Sequence, residues 1–148
     1  MTDAFIEIDE LMENHRSLVD VGTPQSADQI QEAENTLGVV FPSTYKRFLK
    51  KWGAVSFGPK EYFGLGYGSP HDVVEFTLKK RRALELPHHL IIICDNDGDE
   101  YLCLDTSRLD DQGECQIIVW DVPSSQISRK KADRFDAYLL QDIKDFIE

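Results

Sequence analysis

Residues 26–53 constrain this chain more than any other stretch, because they spell out two consecutive helices with their start and stop signals. Ser26 stands as an N-cap, and Gln29 three residues later completes a capping box. Ile30, Ala33, Glu34 and Leu37 recur at helical spacing, and Gly38 supplies a left-handed stop. Pro42 and Ser43 open the next helix, since a first turn has no use for the N–H that proline lacks. Tyr45, Phe48, Leu49 and Trp52 line one face of this helix, and Gly53 ends it. Ile30, Leu37, Tyr45, Phe48 and Trp52 are therefore expected in a core, against a sheet carrying Ile92, Leu102, Leu104 and Val119.

The remaining pattern supplies that sheet. Phe5, Ile8, Leu11 and Met12 predict an amphipathic helix over about 3–14. From Gly53 to Gly68 aromatics alternate with glycines, which predicts a short strand over Glu61–Leu65 between tight turns. Asp72 caps a helix through Val73, Val74, Thr77, Leu78 and Arg81, closed by Leu86-Pro87. Strands follow at about 90–94, 100–104 and 116–121, joined by an Asn96-Asp97-Gly98 turn and a polar loop from Ser107 to Glu114. Pro123 and a Ser/Gln linker lead to a final helix through Phe135, Tyr138, Leu139, Ile143 and Phe146. The expectation is one α+β domain over 1–148, with an N-terminal helical segment 1–25 and a core 26–147. In it, several helices pack on one antiparallel sheet.

The same landmarks carry a resemblance. The ordered set Glu34, Leu37-Gly38, Phe41-Pro42, Tyr45, Phe48-Leu49 and Trp52-Gly53 resembles the opening of the SUKH superfamily, the Smi/Knr-like domain. Later landmarks continue it. These are Leu90 to Cys94, the acidic turn Asp95 to Glu100, Tyr101 to Asp105 ending in Leu-Asp, and Ile117 to Asp121 with Trp120-Asp121. The one departure is Phe41 where the family usually has leucine, and both are large and apolar. The resemblance implies a non-enzymatic binding domain. Bacterial members look like immunity proteins that neutralise the toxic domain of a polymorphic secreted toxin, often a nuclease. Fungal members are regulators of cell-wall glucan synthesis.

Charge narrows the partners independently. The chain carries a net charge of −11, unevenly spread. Residues 1–45 and 95–121 each sum to −8, residues 46–94 to +5, and the remainder to zero. Phosphate binding needs a cationic footprint, so free nucleic acid is a poor partner for most of this surface. A cationic protein is a better one, because opposite fields raise the rate of encounter. Lys46-Arg47, Lys50-Lys51 and Lys79 to Arg82 form two basic helical runs. They read as solvated faces or as a small anionic contact, to nucleic acid or to an acidic patch on a second subunit.

No catalytic or cofactor motif emerges. The acidic turn is no EF-hand: counting from Asp95, position six is Glu100 where glycine is needed, and position twelve is Thr106 where glutamate is needed. Gly64-x-Gly66-x-Gly68 puts its third glycine one residue early for a dinucleotide fingerprint. Cys94, Cys103 and Cys115 lack metal or redox spacing and read as buried thiols in a reducing compartment. His88-His89 point opposite ways in extended chain, and neither His15 nor His71 completes a ligand set. The expectations are a cytoplasmic binding protein with no cofactor, metal, membrane or nucleic-acid partner, its oligomeric state left open. The opening Met1-Thr2-Asp3-Ala4-Phe5 has no basic segment or apolar run of a signal peptide. The expected partner is a toxin domain. Its contact surface is placed on Asp95, Asp97, Asp99, Glu100, Asp110, Asp111 and Glu114 as one acidic face, with Tyr62, Phe63 and Tyr67 as aromatic anchors.

Overall fold

The computed structural model describes residues 3–68 and 71–148, and it shows five α-helices and seven strands. Met1 and Thr2, counted within the expected domain, lie outside the described residues. The helices are α1 (Ala4–Asn14), α2 (Ala27–Leu37), α3 (Ser43–Lys51), α4 (Val73–Leu84) and α5 (Phe135–Ile147). The strands are β1 (Val19–Val21), β2 (Val55–Phe57), β3 (Lys60–Tyr62), β4 (Leu90–Asn96), β5 (Glu100–Asp105), β6 (Ile117–Asp121) and β7 (Gln126–Ala132). All strand pairs are antiparallel, so the fold is α+β as expected. It has two sheets rather than one, ordered β1-β2-β3 and β4-β5-β6-β7. Phe63 N donates to Ile93 O at 2.8 Å, which lays the end of the small sheet along the outer edge of β4.

The helix signals operate as chemistry requires. Ser26 Oγ accepts from Gln29 N at 3.1 Å while Gln29 Oε1 accepts from Ser26 N at 2.8 Å, a complete capping box. Glu34 is buried, and its Oε2 accepts from Phe41 N at 2.7 Å. That bond closes the α2–α3 turn and explains why a carboxylate sits on an apolar helix face. Asp72 caps α4 through Glu75 N at 2.9 Å. The 96–99 turn places Asp97 and Gly98 at φ 55° and 78°, the consecutive left-handed residues of a tight hairpin.

The core is aromatic. Tyr45 packs edge-on to Phe41 and Phe135 with centroids 5.1 and 5.0 Å apart, and Phe5 of α1 stacks on Trp52 at 5.7 Å. Neighbouring strand residues point to opposite faces. Phe76 of α4 sits 5.7 Å from Tyr101, whereas Tyr138 of α5 bonds Cys94, the cross-strand partner of Leu102. Helices α4 and α5 therefore cover opposite faces of the larger sheet, and β4, β5 and β6 are buried over most of their length.

Three cations of the basic run on α3 pair with carboxylates of the chain itself. Arg47 grips Asp3 with Nη2 2.7 Å from Oδ2 and lies over the Phe5 ring at 4.5 Å. Lys51 Nζ is 2.9 Å from Asp9 Oδ2, and Lys46 Nζ is 3.5 Å from Glu34 Oε2. These cations hold the chain's own acidic helix α1 and the α2–α3 turn. The Arg47 guanidinium, with the Phe5 N–H, holds the Asp3 carboxyl below the usual carboxylate range. The glycine-rich segment also has a steric reason. A Cβ on Gly64 would lie 1.8 Å from Gly53 O, so two backbone segments cross there with no room for a side chain.

Candidate functional site

An open cleft of about 530 Å³ lies beside the 96–99 hairpin. Five separate segments build it: residues 59–63, Phe76 of α4, and residues 94–102, 129–131 and 138–142. Phe63, Phe76, Cys94, Leu102 and Tyr138 supply its apolar surface. Lys60, Arg129 and Lys131 stand opposite Glu61, Asp95, Asp97, Glu100 and Asp142, so carboxylates outnumber cations five to three. Asp142 is fixed from α5 by Tyr62, whose hydroxyl donates to Oδ2 at 2.6 Å, with Lys60 Nζ 4.0 Å from the same oxygen. Burial and this carboxylate push the Tyr62 hydroxyl far up, so it stays a donor. Burial likewise raises the Cys94 thiol to about 11 and Cys115 to about 12, and raises Cys103 strongly. These buried thiols are poor nucleophiles at neutral pH. Among the described residues no group of three or more His, Cys, Asp or Glu side chains is placed to hold a metal ion.

Asp95, Asp97 and Asp99 are exposed at the hairpin tip and form no ion pair among the described residues. Asp95 Oδ1 accepts from Gly98 N at 2.8 Å, which stiffens the turn. Glu100 is half-buried and pairs with Arg129 at 3.2 Å. Asp95, Asp97 and Glu100 line the cleft, and Asp99 lies beside them in the same hairpin.

The other expected contacts fall elsewhere. Asp110, Asp111 and Glu114 lie in the β5–β6 loop, at the opposite end of β5. Five residue steps along β5 separate its two ends, roughly 17 Å at about 3.3 Å per step. The single acidic face expected from composition is therefore two separate ends. Glu114 is also no surface group, being 3% exposed. Its carboxylate accepts from Thr44 N at 3.0 Å and Thr44 Oγ1 at 2.7 Å, satisfying the start of α3. Asp110 Oδ1 accepts from Gln112 N and Glu114 N, and these bonds lower its carboxyl below the usual range.

The aromatic anchors are corrected too. Tyr62 and Phe63 are 2% and 4% exposed, because β3 and the following bridge to β4 turn them inward. Phe63 reaches the cleft only as part of its floor. Tyr67 is half-buried, with its hydroxyl donating to Asp20 Oδ2 at 2.7 Å. Nothing in the sequence marks Lys60, Arg129, Lys131, Tyr138 or Asp142 as site residues. Each looks like an ordinary polar or core residue until the fold gathers the five segments.

A crystal structure of a protein from Pseudomonas syringae pv. tomato shares this fold, with a TM-score of 0.60 at 22% identity, covering 81% of this chain and 86% of that chain. The architecture is thus that of a known class of small α+β domain. The profile of the SMI1-KNR4 cell-wall family (SUKH_5) matches residues 6–144, and the chain belongs to that family. No helix among the described residues is long and apolar enough to cross a membrane.

Proposed function

We propose that this chain is an immunity protein, binding and occluding a cationic toxin domain at one-to-one stoichiometry without turnover. The observation that carries the reading is the hairpin tip. Three exposed carboxylates without ion-pair partners, Asp95, Asp97 and Asp99, share the hairpin, and the first two line a cleft with apolar surface and a net acidic lining. A charged rim around a desolvated centre is the arrangement that steers and then retains a protein partner. A nuclease that holds phosphates is basic at that groove, so an acidic plug competes for the same surface. Family membership supports a binding domain of this type.

The family description also names the cell wall, and that favours a second reading, a regulatory or scaffold module of cell-wall synthesis. The gene neighbourhood separates the two. On the immunity reading, a toxin reading frame lies beside this gene, and the purified chain forms a one-to-one complex with that toxin domain and protects cells expressing it. If no toxin frame is present and deletion alters cell-wall composition, the regulatory reading replaces it.

A further inference from the structure

We propose that the outer edge of β7 is a second docking surface, which takes an extended acidic segment of the partner protein as a fifth strand of the larger sheet. The proposal rests on the reading of this chain as a binding protein, and it uses the backbone edge of β7, two of whose side chains, Arg129 and Lys131, also line the cleft. Strand β7 ends the order β4-β5-β6-β7, and no described strand pairs with its outer side. The opposite edge, β4, is covered: Phe63 N bonds Ile93 O, and Thr77 Oγ1 accepts from Ile92 N at 3.1 Å. The seven residues of β7 make a long strand for an unpaired edge, they contain no proline, and all but Ala132 are exposed. Ile127 is 46% exposed and gives the edge an apolar contact.

The charge on this edge selects its occupant. Arg129, Lys130 and Lys131 stand together on a chain of net charge −11. The register slips twice along β7, pairing Val119 with Arg129 and Ile118 with Lys130 while leaving Ser128 and Lys131 as extra residues. Such bulges re-aim side chains. Arg129 and Lys131 both line the cleft, whereas Lys130 follows Arg129 in the strand and turns to the other face. An added strand would thus meet cations on both of its faces. Two of the three already hold partners, Arg129 with half-buried Glu100 and Lys130 with exposed Asp133, and pairs whose cations are open to solvent exchange at little cost. The same cations oppose a second copy of the chain, since β7 against β7 would set like charges across the new ladder. Basic edge residues therefore reject self-pairing and accept an acidic strand.

The test uses a ten-residue peptide alternating Glu with Val, and a counterpart with Lys in place of Glu. Amide chemical shifts and hydrogen exchange are read on the full chain. The acidic peptide is expected to shift β7 amides and slow their exchange at least tenfold, with the effect weakening as salt rises. The Lys peptide should do neither. The R129E/K131E double variant should lose the protection while its remaining spectrum is unchanged, and K130E should weaken it. A variant reversed at the hairpin tip, D95K/D97K/D99K, should keep it. The proposal is overturned if the acidic peptide leaves β7 exchange unchanged, if both peptides act alike, or if the chain self-associates through β7. Unchanged toxin binding in the hairpin variant with β7 protection intact would count against the cleft reading alone.

Discussion

Glu114 and Thr44 are joined by two hydrogen bonds across seventy residues of sequence, at 3.0 Å to the backbone N–H and 2.7 Å to the hydroxyl. The contact ties the β5–β6 loop to the first turn of α3, with Arg134 4.0 Å from the same carboxylate. Removing the acceptor strands a buried donor. Glu114→Ala is expected to cost about 1–3 kcal/mol in urea unfolding. Glu114→Gln, whose amide can serve both Thr44 groups, should stay much closer to the native stability.

The pH dependence of this loop has two opposed components. Burial raises the Glu114 carboxyl, so its contribution is fully present below its unfolded pKa and is lost as pH rises through the higher folded value. Backbone N–H groups lower Asp110, so its contribution is present at neutral pH and is lost as pH falls through the lower folded value. Melting temperatures between pH 3 and about pH 7 should therefore show Glu114→Gln gaining on the native chain as pH rises. Asp110→Asn should close its gap to the native chain as pH falls.

Gly64 and Gly98 should respond differently to alanine. At Gly64 the new methyl would meet the Gly53 carbonyl at 1.8 Å, backbone against backbone. Gly64→Ala is expected to cost at least about 3 kcal/mol or to prevent folding. Gly98 has φ 78° but open space, so Gly98→Ala should cost only the left-handed penalty, about 1–2 kcal/mol. Denaturation midpoints compare the two directly.

Helix α1 should be held mainly by apolar packing. Phe5→Ala removes a buried ring stacked on Trp52 and is expected to cost about 3–5 kcal/mol. Arg47→Ala, which breaks a half-exposed pair with Asp3, should cost little by comparison. Equal losses in the two variants would mean that the ion pairs carry the docking of α1.

What could be read from the sequence follows a physical division. Helices α2, α3 and α4 carry local signals in Ser26, Gln29, Gly38, Pro42 and Asp72, and these act within a few residues. The short strands β1 and β2 have no periodicity to display at three residues each. Strand β7, placed in the sequence reading within a polar linker, is exposed along nearly its whole length and so shows no buried face. The acidic hairpin was legible because Asn96, Asp97 and Gly98 are adjacent. The cleft was not, because Lys60, Arg129, Tyr138 and Asp142 meet only after the sheets and α5 assemble. Glu114 was misplaced for a related reason: its partner Thr44 is distant, and composition alone counts a buried carboxylate with the exposed ones.

The most direct measurement of the central claim is the rate of association with the toxin domain encoded beside this gene, by stopped flow across ionic strength. The native chain should associate fast, with a rate that falls steeply as salt rises. The D95K/D97K/D99K variant should associate more slowly, with the steep salt dependence flattened or reversed. Identical rates and salt slopes for the two proteins, with protection of toxin-expressing cells unchanged, would contradict the account and place the contact away from the hairpin.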